Sequence, residues 1–463
     1  MLLNQDLTMY LKSSQLNIIK DDLGRSFIYH SLYNNPRLLD DALTSLLEYF
    51  SSEPKTIDDV KNHFDGEVEE VINEFIRLGY IVSSECGERK PLKLSQKQFL
   101  LKVEGGGNLS RLELAISNAC NLACPHCMHF INNDLPKQSK KLNMSIETAR
   151  KSIDVFVSKV KEQGNNIVRI HFGNGEPLIN WETLSFVLDY CSSIRRIEFS
   201  YAINTNLILL NREKAEKLKT HDVKISTSLD GTKVGNDLVR IDKKGKGTFD
   251  QIVEKIDLLR EIGYPIDGFS ITITDKNFHH IDESVIDLAF SLGIKEVSID
   301  CDLVSSIDIP ISDCVNKIMR LRRYARSREI SVYGNWETPF RILMSSSWLE
   351  APHAYCPAVD GSTLEFNVDG SIKVCGHTNT IVGKNCDLGI VLSKNSTYMN
   401  LINSRLPGNN GMCLGCSIEG ACAGQCHVTI ESTKRDDKLM KNMCSLMKLA
   451  TTELIVEYML NNR

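Results

Sequence analysis

Short β-branched runs alternate with longer amphipathic ones through the middle of the chain. Between residues 110 and 305 six segments, RLELAIS, NIVRIHF, IEFSYAI, VKISTSL, FSITIT and EVSID, are short and rich in Val, Ile, Thr and Phe, the composition of strands. Between them lie segments such as IETARKSIDVFVSKVKEQG and FDQIVEKIDLLREIG, with apolar residues at the three-and-four spacing of one buried helix face. Strand–helix repetition predicts a parallel sheet with helices outside it. Six units are two short of a full eight-fold barrel. The expectation is therefore an α/β fold, a partial (β/α)6 TIM-like barrel over 110–305, in preference to a flat doubly wound sheet. In either architecture ligands bind at the carboxyl ends of the strands.

The flanks have a different rhythm. In residues 1–95 two strand-like runs, LNIIK and SFIYHSL, precede the amphipathic helix LLDDALTSLLEYF. TIDDVKNHF opens with a T-x-x-D capping box at Thr56 and Asp59, GEVEEVINEFIRLGY has helical spacing, and YIV at 80–82 reads as a returning strand. This predicts a small winged-helix-like α+β module. Residues 96–109, ending in a glycine run, read as a linker. A helical bridge over 306–350 leads to a cysteine-rich section at 351–450, and 451–463 reads as a C-terminal helix or tail.

Composition narrows the class. The chain has 463 residues, 42% hydrophobic and 24% charged, with net charge −5, ordinary for a globular protein. No long basic block suggests nucleic acid, and no apolar run suits a membrane span or secretion signal. The expected location is the cytoplasm. There thiols stay reduced, so fifteen cysteines point to metal or redox chemistry where they cluster.

They cluster twice. SNACNLACPHCMH at 117–129 carries Cys120, Cys124 and Cys127, and eight more lie between Cys356 and Cys444. Such thiolates suit zinc or an iron–sulfur cluster. A structural zinc closes a four-coordinate shell; His126 and His129 are candidates for a fourth ligand by residue type, and a ligand at 126 would crowd Cys124 and Cys127. A cubane on three thiolates leaves one iron open for substrate or cofactor.

With C-x3-C-x2-C on the loop after the first barrel strand, residues 110–305 resemble the radical SAM enzymes. The resemblance implies a 4Fe-4S cluster on Cys120, Cys124 and Cys127. Its open iron would bind S-adenosylmethionine, whose reductive cleavage gives a 5′-deoxyadenosyl radical. The residue before the last cysteine, commonly aromatic and beside adenine, is here His126. HFGNGEPLIN at 171–180 is similar to the family's G-G-E-P turn, which receives the methionyl ammonium. Gly175, Glu176 and Pro177 match it. Asn174 replaces the first glycine, a residue type that tolerates positive φ. NTN at 204–206 and STSLDG at 226–231 close the third and fourth strands, making Asn206 and Ser228 candidate cofactor contacts. Arg240 stands where an arginine often follows the DG in this family.

The second cluster reads Cys356-x13-Gly370-x4-Cys375, a gap, Cys413-x2-Cys416-x5-Cys422-x3-Cys426, and Cys444. Its order is similar to the SPASM extension of radical SAM enzymes and implies two auxiliary 4Fe-4S clusters, three clusters in all. Cys413, Cys416, Cys422 and Cys444 would hold one; Cys356, Cys375 and Cys426 would hold the other. A further ligand there could be Cys386, His353, Glu350, substrate or solvent, and an open site is favoured. The resemblance implies a maturase of a ribosomally made precursor peptide, forming a thioether or carbon–carbon crosslink. The N-terminal module would bind the leader as an added strand, and flavodoxin or ferredoxin would supply electrons. Alternatives are a sulfatase-maturing formylglycine-generating enzyme, and a peptide epimerase with Cys301 or Cys314 as hydrogen donor. From another class come an iron–sulfur electron carrier and a zinc scaffold.

Overall fold

The structure, a computed structural model, describes residues 8–64, 68–83, 89–129, 143–345, 347–349, 354–434 and 436–462. Glu350 and His353, two of the ligand candidates, lie outside the described residues. The strands in chain order are β1 (Tyr10–Lys12), β2 (Leu16–Lys20), β3 (Ser26–His30), β4 (Asn34–Leu39), β5 (Ile81–Ser83) and β6 (Arg111–Ala115). Next come β7 (Ile167–Gly173), β8 (Glu198–Asn204), β9 (Val223–Ser228), β10 (Gly268–Ile273) and β11 (Glu296–Cys301). The last are β12 (Ser331–Tyr333), β13 (Thr363–Phe366), β14 (Ile372–Lys373) and β15 (Ile381–Gly383).

The six anticipated strands, β6 to β11, form the parallel centre of a 10-stranded sheet ordered β12-β11-β10-β9-β8-β7-β6-β13-β14-β15. Their burial alternates. Leu112, Leu114, Val168, Ile170 and Phe172 are at most 1% exposed and pack on the outer helices. Glu113, His171, Ser228, Ser270 and Asp300 are half-buried on the opposite face. Helices such as Ile146–Glu162, capped by Ser145 through the Thr148 N–H, return the chain between strands.

Both edges of the sheet depart from the sequence reading. β12 lies within the expected helical bridge, after the helix Ile311–Arg326, and pairs parallel with β11. On the other side β13 pairs parallel with β6, Thr363 to Arg111 through Phe366 to Leu114. The parallel strands β6–β11 and the cysteine-rich section therefore share one sheet. The expected linker is also corrected: Arg89–Glu104 is a 16-residue helix, with Leu92, Phe99 and Val103 buried on one face. Pro91 fits its first turn, where no amide hydrogen is needed. At the other end, one helix, Asp437–Asn461, runs through the boundary placed at 450.

The N-terminal part holds an antiparallel β2-β3-β4 sheet, a β1-β5 pair, and helices Asp41–Glu48, Ile57–His63 and Glu69–Leu78. The Thr56–Asp59 capping box is formed. Leu38 and Leu39 end β4 instead of opening a helix, because Asp40 is the N-cap. This part docks on the C-terminal section. Gly420 N donates to Ser31 O (2.5 Å), and Trp348 joins the two through Nε1 to Gly420 O (2.8 Å) and N to Tyr33 O (3.2 Å). Among the described residues no helix is long and apolar enough to cross a membrane.

Candidate active site

Beyond Ala115 the chain leaves β6 at its carboxyl end and enters the thiol loop. The loop is pinned by Ala123 N to Ile241 O (2.8 Å) and turns tightly where Cys127 N donates to Cys124 O (3.2 Å). Cys120, Cys124 and Cys127 lie close enough to interact electrostatically. Cys120 Sγ receives the Leu122 N–H at 3.4 Å and Asn206 Nδ2 at 3.8 Å. Burial pushes the Cys120 thiol up to about 11, so metal binding must displace its proton.

The turn after β7 packs against this loop, leaving no room for a side chain at 175. Gly175 has φ +38°, and a Cβ there would lie 2.3 Å from Ala119 O and 2.6 Å from Ser117 O. Glu176 N donates to Ala119 O (2.7 Å). The Glu176 carboxylate is buried and accepts from Leu178 N (3.0 Å), Thr205 Oγ1 (2.6 Å) and Asn206 N (2.8 Å). Thr205, the middle residue of NTN, is a functional residue that the sequence does not mark; its hydroxyl holds the carboxylate. Asn174 takes φ +63° and its Nδ2 donates to Glu365 Oε2 on β13 (2.9 Å). The residue that departs from the glycine pattern thus reaches the C-terminal section.

Arg240 does not stand free. Its Nε donates to Asp230 Oδ2 (2.5 Å), and its charge lies within electrostatic reach of the Cys124 sulfur. Asp230, fully buried, accepts from Thr272 N (2.6 Å) and lies 3.7 Å from His126 Nε2. His126 is 7% exposed and neither ring nitrogen has a protein partner. Burial, then the Arg240 charge, holds it down to about 4, so its ring is neutral. Asn206 bonds Asn121 Oδ1 (2.8 Å) as well as approaching Cys120. Ser228 closes β9 in register with Ser270 and Ser298. Sequence reasoning missed Asp230; its signal was the DG of STSLDG followed by Arg240.

The C-terminal thiols gather in two sets. Cys422 interacts with Cys413, Cys444 and Cys416, and Cys426 with Cys356 and Cys375. Burial pushes Cys356 and Cys413 up to about 12. Among the described residues no group of three or more His, Cys, Asp or Glu is disposed to hold a single metal ion. Cys386 Sγ is 3.5 Å from Ser152 Oγ in the core. The donor chemistry fits iron–sulfur clusters: several buried thiols facing one another, with a buried arginine, Arg405, whose Nε and Nη1 have no protein partner among them.

Between the sets and the Gly175 turn, four titratable residues share one row across adjacent strands. In register these are Lys373 (β14), Glu365 (β13), Glu113 (β6) and His171 (β7). His171 Nδ1 lies 3.9 Å from Glu113 Oε1 and has no hydrogen-bond partner. Burial holds this imidazole down to about 4, leaving it neutral. Cys301 and Cys314 are at most 2% exposed and lie within electrostatic reach of one another. Cys301 alternates with Asp300 and so faces the helix layer, which places it on the wrong side for a hydrogen donor.

Residues 114–288 match the family model described as Radical SAM superfamily. Over 460 residues the chain is 26% identical to the radical SAM cyclopropyl synthase TigE of Paramaledivibacter caminithermalis, covering 96% of this chain and 95% of that protein. Its fold is similar to that of native anSMEcpe with bound AdoMet and Cp18Cys peptide (TM-score 0.59, 15% identity, 77% of this chain and 99% of that one). It is also similar to Streptococcus suis SuiB bound to S-adenosylmethionine (TM-score 0.53, 17% identity, 91% and 96%).

Proposed function

The chain carries a radical SAM domain and belongs with the enzymes of that superfamily, and on that premise we propose that it matures a ribosomally made precursor peptide in the cytoplasm. The full-length likeness to a cyclopropyl synthase favours the carbon–carbon branch of the reaction, a new bond within the peptide, over a thioether. A 4Fe-4S cluster on Cys120, Cys124 and Cys127, with S-adenosylmethionine at its open iron, would supply when bound the deoxyadenosyl radical that removes hydrogen from substrate.

The chain's own residues support that role. Gly175 lets the turn seat on the thiol loop at Ala119 O and Ser117 O, where a Cβ would clash, and the Glu176 carboxylate, preset by three donors, offers its negative charge to the cofactor's ammonium. His126, Asn206 and Ser228 border the same space. Arg240, neutralised by Asp230, positions the thiol loop through Cys124 instead of gripping cofactor directly. His171 Nδ1 supplies a neutral acceptor for the proton that an oxidative ring closure releases. The cysteine sets Cys413/Cys416/Cys422/Cys444 and Cys356/Cys375/Cys426 would hold auxiliary clusters that take the accompanying electron, the second keeping an open position. An external flavodoxin or ferredoxin provides the initiating electron. β2 pairs only with β3 among the described residues, so its other edge can take a leader strand.

The observation that carries this reading is the meeting of the three-thiol loop with the Gly175–Glu176 turn at the strands' carboxyl ends. The test is anaerobic reconstitution with S-adenosylmethionine, a reductant and a candidate precursor peptide. Deoxyadenosine and a peptide lighter by two hydrogens are expected, and neither with a Cys120/Cys124/Cys127→Ala variant. Full iron loading without deoxyadenosine would overturn the proposal. A formylglycine product from a cysteine or serine peptide would favour the sulfatase-maturing alternative.

A further inference from the structure

Arg405 is 3% exposed and follows the helix Thr397–Ser404. One guanidinium nitrogen, Nη2, donates to Gln425 O; Nε and Nη1 have no protein acceptor. A buried cation with two idle donors is expensive unless something anionic meets it. The loop Cys422–Cys426 curls around it, with Ala423, Gly424 and Gln425 all at positive φ (42°, 86° and 58°). A Cβ on Gly424 would sit 2.4 Å from Asn410 Nδ2 and 3.4 Å from Arg405 Nη1, so the glycine makes room for Asn410 while the loop backbone lies against the guanidinium. That loop ends in one thiol of each set, Cys422 of the four-thiol set and Cys426 of the three-thiol set. The guanidinium lies within electrostatic reach of Cys356 and Cys426 of the three-thiol set and of Cys422 and Cys413 of the four-thiol set.

We propose that Arg405 is a shared counter-charge for both auxiliary iron–sulfur sites, its Nε–H and Nη1–H donating to their sulfurs and raising both reduction potentials. The inference rests on the auxiliary-cluster reading above. Each reduction adds one negative charge to a site, and a fixed cation beside it favours the reduced form. Because one guanidinium serves both sites, the two potentials move together. Arg405 is a positioning and charge-compensating residue, touching neither substrate nor Cys120, Cys124 or Cys127.

The test compares reconstituted wild type, Arg405→Met and Arg405→Lys by iron content and by redox titration of the paramagnetic signals. Wild type should hold about twelve irons, four per cubane. Arg405→Met should lower both auxiliary potentials at least tenfold in the one-electron equilibrium, about 59 mV. Arg405→Lys should lower them less, and the radical SAM signal should stay in place in both. Unshifted auxiliary potentials at full loading, or equal movement of all three signals, would overturn the inference. If Arg405→Met takes up only about four irons, Arg405→Lys decides: restored uptake with lowered potentials supports the role, and no restoration overturns it. Wild type that binds only about four irons would instead overturn the auxiliary-cluster reading itself.

Discussion

A methyl group at position 175 would need to occupy space held by Ala119 O and Ser117 O, at 2.3 and 2.6 Å. Positive φ adds ~1–3 kcal/mol of strain for a non-glycine residue. Gly175→Ala should therefore push the turn off the thiol loop, and S-adenosylmethionine binding measured by calorimetry should fall at least tenfold. Asp300 gives a pH signature. Burial raises its carboxyl to about 7 despite the Asn335 N donor, against 3.8 when free. The folded chain thus keeps a proton that the unfolded chain releases. Stability falls as pH rises from about 3.8 to about 7. Asp300→Asn should flatten that fall in melting temperatures taken at pH 5 and pH 8. At this scale the sequence was legible where chemistry fixes spacing, as in C-x3-C-x2-C and GEP. Glu365 and Arg405 were not, because their partners lie on distant elements and single charged residues carry no local signal; Asp230 was marked only by the DG that precedes Arg240.

Strands with six-fold repetition were readable because their alternation and β-branching agree with the parallel sheet. β13 was not: TLEF alternates polar and apolar over only four residues, too short for a period to stand out, and its pairing with β6 joins segments far apart in the chain. The helix Arg89–Glu104 was hidden for a related reason. Its stripe includes the buried polar residues Ser95 and Gln96, which bond Trp348 O (2.5 Å) and Pro407 O (2.6 Å); without those acceptors the segment looks too polar to pack. Trp348 pins this helix, β3–β4 and the C-terminal section together, its ring centroid 6.0 Å from that of Phe99. Trp348→Phe keeps most of the volume but strands Gly420 O, at about 1–3 kcal/mol. Trp348→Ala should cost about 3–5 kcal/mol. Chemical denaturation followed by limited proteolysis should show the N-terminal part released first in the alanine variant.

At the scale of the whole molecule, the β6–β13 ladder makes barrel and cysteine-rich section one folding unit despite their contrasting sequences. A chain ending at Leu349 would expose the β6 edge and the apolar residues that β13 covers. Exposed edges of this kind template association, so the shortened chain should aggregate in size-exclusion chromatography while the full chain elutes as a discrete species. Domain boundaries placed by composition alone cannot anticipate this, since a parallel ladder joins segments regardless of what lies between them.

The Asn174–Glu365 bond has a bearing on how such enzymes can be recombined. A Cβ at Gly376 would fall 1.9 Å from Glu365 Oε2 and 2.3 Å from Asn174 Oδ1, so positions 174, 365 and 376 fill one small volume between them. A turn carrying glycine at 174 would vacate the amide's space, leave the Glu365 carboxylate without that donor, and admit a larger residue at 376. Position 174 lies far along the chain from 365 and 376, yet the three form a single unit of exchange: a chimera that takes the Gly175–Glu176 turn from one relative and the C-terminal section from another must carry all three from the same parent.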